Sequence, residues 1–314
     1  MYSSQPNVIV LGSINTDLVT RVPSLPGAGV TMIGRQFFQA QGGKGANQAV
    51  AAARAGSAPV ILIAAVGDDE YGQASIASLS RERLLLDHVQ RIERCSSGVA
   101  VILVDDAGEN CIAITPGANY RLLPKHIDGL PEEVFAAGGV FLASLEVPLA
   151  TVRRGLERAK ERGLTTILNP APVELREPVL QLRDLVDVLT PNEHEAAQLL
   201  NRPFRGQQQS LAAAEELREC GCKNVVITLG KEGAVVATSS STSAHPAFNV
   251  EAVDSTAAGD AFSGALAMAL VERQSLADAI RFASATSALS VTRRGAQSSL
   301  PFRPAIEKLL SKPC

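Results

Sequence analysis

Asp254-Ser255-Thr256-Ala257-Ala258-Gly259-Asp260-Ala261-Phe262-Ser263-Gly264-Ala265 is the stretch on which the reading of this 314-residue chain turns. A run of small residues opens into an apolar, helix-periodic segment, and an acid stands at the junction. Small residues let backbone N–H groups converge on a ligand. The first turn of a helix leaves those groups unpaired and adds partial positive charge. The site therefore suits a phosphate or a developing oxyanion. Asp260 beside it is what a general base for phosphoryl transfer to a hydroxyl would be. The plainer alternative is an Asp favoured by the helix dipole.

Outward from this point, strand-like and helix-like segments alternate. Short apolar runs at Val8–Gly12, Val60–Val66, Val140–Ala143, Thr165–Leu168, Leu185–Leu189 and Val225–Thr228 read as buried parallel strands. Ala46, Ala49, Val50 and Ala53 keep helical spacing before a stop at Gly56. Pro148 opens a further helix in its first turn, and Gly163 closes it. The pattern predicts an α/β fold, a mostly parallel sheet with helices on both faces. Two segments break the rhythm. Residues 17–39 read as short β-pieces around Pro23, Pro26, Gly27 and Gly29, and Gly98–Val104 with Asn110–Thr115 as a hairpin. Both look antiparallel and could pair as a small separate sheet, either a lid or surface hairpins without function. Ser239–Ser243 reads as a loop.

Composition excludes several classes. With 46% hydrophobic and 19% charged residues the chain is not disordered, and a net charge of −3 gives no general attraction to nucleic acid or anionic membrane. The start, Met1 to Pro6, lacks the basic flank of a signal peptide, and no apolar stretch is long enough for a membrane span. Five cysteines, at 95, 111, 220, 222 and 314, form no paired framework. A reducing cytoplasm is the expected home.

In such a sheet, ligands gather at the carboxyl ends of the strands. Gly12, Asn15, Asp17, Gly67, Asp68, Asp69, Glu146, Asn169, Asn192, Glu195, Thr228 and Gly230 all fall there, although turns carry polar residues for structural reasons too. Gln41-Gly42-Gly43-Lys44-Gly45-Ala46-Asn47-Gln48 is the second strong signal. A Walker A loop would need Gly at Phe38 and Ser or Thr at Gly45, and a dinucleotide fingerprint would need Gly at Gln48. Lys44 and Asn47, with Asn15 and Asp17, instead suit a polyol, because amides and carboxylates bind vicinal hydroxyls at two points. Asn192 and Glu195 share one face of a helix start. They could hold a hydrated Mg²⁺ indirectly, or form a capping box. Thr228 to Gly233 could cradle a nucleotide backbone or simply turn a hairpin.

At these residues the chain resembles the ribokinase family, sugar kinases of the phosphofructokinase-B superfamily. The resemblance runs through Gly12 to Asp17, Gly42 to Ala49, Asn169-Pro170-Ala171-Pro172, Thr190 to Glu193, Thr228 to Gly230, Asp254 to Asp260 and Thr292 to Ser299. It implies one Rossmann-like kinase domain over residues 1–314, with a lid formed by about 14–40 and 97–115 that also pairs two subunits into a homodimer. The implied reaction is ATP-dependent phosphorylation of the 5-hydroxyl of D-ribose. Asp260 is implied as catalytic base, with the N–H groups of Ala257, Ala258 and Gly259 around the transferred phosphoryl group. Asn15, Asp17, Gly43, Lys44, Asn47 and Glu146 are implied to bind the sugar. The nucleotide is implied at Asn192, Thr228, Gly230, Gly259 and Ser284, and Mg²⁺ indirectly at Asn192 and Glu195. Asp254, Thr256, Ser290, Arg293, Gly295 and Ser299 are implied as a K⁺ site. The chain departs from the family at Pro26-Gly27-Ala28-Gly29, where relatives often have Pro-Gly-Glu-Thr, and at Ser284, where His or Asn is common. Alternatives are a 2-deoxyribose or nucleoside kinase, or a sugar-binding sensor on a kinase fold. A nicotinamide-dependent oxidoreductase is disfavoured for want of a fingerprint.

Overall fold

The computed structural model describes residues 5–173 and 176–311. In chain order the strands are β1 (Val8–Leu11), β2 (Asn15–Arg21), β3 (Gln36–Gly42), β4 (Val60–Gly67), β5 (Leu84–Leu85), β6 (Val89–Ile92), β7 (Gly98–Val104), β8 (Asn110–Thr115), β9 (Val140–Ser144), β10 (Thr165–Asn169), β11 (Val188–Leu189), β12 (Asn224–Thr228), β13 (Ala234–Ala237) and β14 (Thr242–His245). The helices are α1 (Lys44–Ala55), α2 (Glu70–Leu79), α3 (Pro124–Asp128), α4 (Leu149–Glu161), α5 (Arg176–Leu180), α6 (Glu193–Leu200), α7 (Gly206–Glu219), α8 (Ala258–Val271), α9 (Leu276–Ser290) and α10 (Arg303–Leu310).

The central sheet runs β14-β13-β12-β11-β10-β9-β1-β4-β5, with β6 continuing alongside β4. Every pairing from β12 to β5 is parallel, and β13 and β14 add an antiparallel edge. Alternation along β1 shows why the central strands read as unbroken apolar runs. Val8 and Val10 enter one core with the alanines of α1 and α8, while Ile9 and Leu11 enter the opposite core with Leu156 of α4.

Some boundaries differ from the sequence expectation. Of Leu185–Leu189 only Val188 and Leu189 pair, because Arg183–Leu185 closes a 3₁₀ turn against β10. Thr242 and Ser243 are strand, not loop: the turn at 239–241 returns the chain along β13. Pro148 is the N-cap rather than a residue of the first turn, since α4 begins at Leu149.

The second sheet has the order β3-β2-β7-β8. Each hairpin is antiparallel as expected, and β2 joins β7 through a parallel pairing that runs from Asn15↔Gly98 to Arg21↔Val104. The first segment is longer than expected at both ends, and residues 22–35 form its connection. Three residues, Gly12 to Ile14, separate β2 from the end of β1. The second sheet is thereby rooted at the carboxyl edge of the first, where Asn15 and Asp17 stand.

Candidate active site

Two helix starts face each other across this edge. α1 begins after Gly43, whose φ of +91° only glycine adopts without strain, and where an added Cβ would come within 2.6 Å of the Asn15 backbone N. Apart from Asn47 and Gln48, the buried residues of α1 are Gly, Ala and Val. α8 is likewise buried almost all round, and its Gly264 lies so close to the Gln48 carbonyl that a Cβ would collide with it. That contact, one turn beyond Asp260, brings Asp260 against the start of α1.

Asp260 is buried, and both its oxygens accept amides. Asn47 Nδ2 donates to Oδ2 at 2.9 Å, and Gln48 Nε2 donates to Oδ1 at 3.0 Å. Burial raises its pKa above the usual carboxylate range, against the pull of Lys44 and the two amides. Above it, Ala257 takes a left-handed φ of +59° as N-cap of α8. The Ala258 N–H does not point outward as the anion-hole reading expected; it turns to Ser255 O at 3.2 Å. Among the described residues no hydrogen bond engages the N–H groups of Ala257, Gly259 and Asp260. The open donors of this turn are therefore those three.

Glu146 accepts hydrogen bonds from Ser13 Oγ, from Lys44 N at 3.1 Å and from Asn15 Nδ2 at 3.5 Å. Asn15 is aimed by Asn119, whose Nδ2 donates to Asn15 Oδ1 at 2.8 Å. Burial, then Glu146 and Asp260, push Asp17 up to about 7. Burial alone would lower Lys44, but Asp260, Glu146 and Glu195 outweigh it and hold its ammonium above the ordinary value. Three carboxylates, Asp260, Glu146 and Glu195, thus act on the Lys44 ammonium, with Asp17 coupled to the first two, and the site is acidic.

Asn192 and Glu195 form the reciprocal capping box of α6, with Glu195 N to Asn192 Oδ1 at 2.8 Å and Asn192 N to Glu195 Oε2 at 2.9 Å. Burial raises the pKa of Glu195 even so. Thr228 lies beside this box, through a parallel bridge to Asn192, and Gly230 to Glu232 turn the β12–β13 hairpin. Ser284, half-buried on α9, stands one turn before Ser287, whose Oγ donates to Ala258 O at 2.9 Å. No hydrogen bond among the described residues ties Ser284 to Thr228 or Gly230.

Asp254 links two loops. Its Oδ1 accepts from Thr256 N at 2.9 Å and Thr256 Oγ1 at 2.6 Å, and its Oδ2 accepts from Gly295 N at 2.8 Å. Burial would raise Asp254, but these donors outweigh it and hold its pKa low. Ser290 Oγ and Ser299 Oγ turn back to the carbonyls of Ser287 and Ala296, and Arg293 is exposed. No cluster of three metal-ligating His, Cys, Asp or Glu side chains exists among the described residues. Cys95, Cys111, Cys220 and Cys222 are free, and Cys314 lies outside the described residues.

Gln48, Ser13 and Asn119 were not singled out by sequence reasoning. The available signal was the composition of α1: two adjacent amides on an otherwise apolar, buried helix must both find partners.

The fold, with an acidic site beside a helix N-terminus, is that of a carbohydrate kinase. The family model for pfkB family carbohydrate kinases matches residues 5–303, and the chain belongs to that family. It is 39% identical over 294 residues to a ribokinase of Haemophilus influenzae, covering 94% of this chain and 95% of that one. It is 38% identical over 295 residues to a deoxyribokinase of Salmonella typhi, covering 94% and 95%. The structure of Arabidopsis thaliana ribokinase complexed with ribose and ATP superposes with a TM-score of 0.88 at 30% identity, covering 98% of this chain and 100% of that one.

Proposed function

We propose that this chain is a ribokinase, transferring the γ-phosphoryl group of ATP to the 5-hydroxyl of D-ribose. The observation that carries the reading is Asp260: a buried carboxylate held on both oxygens, under the open N–H groups of a helix start. Asp260 accepts the proton of the attacking hydroxyl. The N–H groups of Ala257, Gly259 and Asp260, backed by the α8 dipole, stabilise charge on the transferred phosphoryl group.

Asn15, Asp17, Gly43, Lys44, Asn47 and Glu146 form the sugar site. Asn47 Oδ1 is buried without a hydrogen-bond partner, an acceptor that a hydroxyl-rich ligand satisfies. Lys44 lies between the sugar side and Glu195, placed to offset phosphate charge. The nucleotide lies along Asn192, Thr228, Gly230, Gly259 and Ser284.

Phosphoryl transfer in this family needs a divalent metal. An acidic site with no cage of three protein ligands among the described residues fits a hydrated Mg²⁺ carried on the ATP phosphates, with Glu195 and Asn192 reaching it through water. When bound it supplies positive charge to the phosphates. Oxygen donors on the loops that Asp254 joins fit K⁺, with Thr256, Ser290, Arg293, Gly295 and Ser299 contributing chiefly carbonyls.

The second sheet serves as lid and as the contact of a homodimer. Register puts Phe38, Ile112 and Ile114 on the Asp17 face, 45–50% exposed, an apolar surface that a lone subunit would leave in water. No helix among the described residues is long and apolar enough to cross a membrane, and the cytoplasm is the proposed location.

Release of ADP with ribose, 2-deoxyribose, fructose, adenosine and inosine tests the reading. Ribose is expected to give the highest kcat/KM, and preference for deoxyribose or a nucleoside would overturn the substrate assignment.

A further inference from the structure

The motif Asn169-Pro170-Ala171-Pro172 has no part in the sugar or nucleotide sites described above, yet its asparagine ends β10 in the interior beside α1. Asn169 Nδ2 donates to Thr190 O at 3.0 Å, which fixes the amide so that Oδ1 faces Gln48. Gln48 Nε2 then donates twice, to Asn169 Oδ1 at 3.1 Å and to Asp260 Oδ1 at 3.0 Å. Both hydrogens of that nitrogen are engaged, and its carbonyl, Gln48 Oε1, is buried without any partner. Reversing the amide would set its carbonyl against two acceptor oxygens, so the orientation is dictated by the network. An orphaned buried carbonyl is costly. A glutamine retained only for packing would have no reason to leave one.

We propose that Gln48, oriented by Asn169, is a positioning residue for Asp260: it locks the carboxylate of the base in rotation and holds it ionised for proton uptake. The inference rests on the reading of Asp260 as base. Asn47 pins Oδ2 from the adjacent residue of α1, so the carboxylate is gripped from two sides. Its remaining lone pairs are the ones available to a hydroxyl. The charged groups facing Asp260 are Lys44, which favours its ionised form, and Glu146, Asp17 and Glu195, which oppose it. The relay through β10 adds a neutral donor on the favourable side without adding charge to an already acidic site. It also ties the end of β10, through Thr190, to the β11 edge that carries the capping box.

Gln48→Met keeps the volume and removes the donor. The expected result is a kcat about tenfold lower, the loss of one hydrogen bond to a charged group. KM for ribose and ATP should stay within about twofold, and the acid limb of the kcat profile should move to higher pH, because a carboxylate that loses a donor is protonated more readily. Asn169→Ala, which disorients Gln48 without touching Asp260, should shift the same limb less far, and the double variant should match Gln48→Met alone. If Gln48→Met fails to fold, the limb shift in Asn169→Ala decides. An acid limb that stays in place, with kcat unchanged or reduced, would overturn the relay. Asp260→Asn assayed alongside separates the two readings: a dead Asp260→Asn with an unmoved limb in Gln48→Met rejects the relay alone, whereas an active Asp260→Asn rejects the base.

Discussion

The carboxylate of Asp17 lies directly against Gly42, so closely that a Cβ on Gly42 would meet both carboxylate oxygens. The two residues sit on adjacent strands of the second sheet, β2 and β3, near its root. The glycine is therefore the floor on which the Asp17 carboxylate rests. Gly42 matters less for backbone freedom than for the space above it.

Gly42→Ala is expected to push Asp17 out of place while leaving the central sheet intact. KM for ribose should rise about tenfold or more with KM for ATP nearly unchanged, measured by steady-state kinetics with each substrate varied in turn. Equal effects on both substrates would mean that the acid does not serve the sugar.

Asp17 should also leave a mark on stability. Its pKa is about 7 in the folded chain against an ordinary 3.8. Below the lower value both folded and unfolded chains carry the proton, and nothing is lost. Between the two values the folded chain keeps a proton that the unfolded chain releases, so stability falls as pH rises. Above about 7 the penalty is complete. Asp17→Asn should therefore be more stable than the parent near pH 8, by on the order of 2 kcal/mol after allowing for solvent screening. The gap should close as the pH falls towards 4, read by urea unfolding of the ligand-free proteins. The same variant should bind ribose poorly, the cost of an acid placed for function.

The loops joined by Asp254 make a third test. With Mg²⁺ and ATP held constant, adding K⁺ to K⁺-free buffer should raise kcat, and Na⁺ should do so less. Asp254→Ala frees Thr256 and Gly295 from their shared carboxylate and should abolish the response while ribose binding persists. An unchanged K⁺ response in Asp254→Ala would reduce Asp254 to a loop brace.

Much of this was legible from residue patterns, and the failures have physical causes. Central strands such as Val60–Gly67 announce themselves because burial on both faces demands unbroken apolar runs. The start of α1 is legible because Gly42-Gly43 has few other uses before an alanine-rich helix. The parallel join of β2 to β7 was not, since its register depends on two segments more than 80 residues apart in sequence. The short β11 was overextended because Leu185 and Val186 are as apolar as a strand but close a 3₁₀ turn. In the site, Asp17 and Asp260 stood out by their neighbours in sequence. Gln48 and Asn119 did not, because an amide that orients another side chain carries no spacing signature. Ala258 shows the same limit for the backbone: its composition suits an anion hole, but its N–H is turned inward by Ser255 O.

The most direct test of the account is turnover by Asp260→Asn with ribose and ATP, paired with calorimetric measurement of ribose binding. Asparagine keeps the shape and leaves the N–H groups above it in place but cannot take a proton. The predicted result is a kcat lower by ~10²–10⁴-fold or more, with ribose affinity little changed. Near-normal turnover by Asp260→Asn would contradict the account.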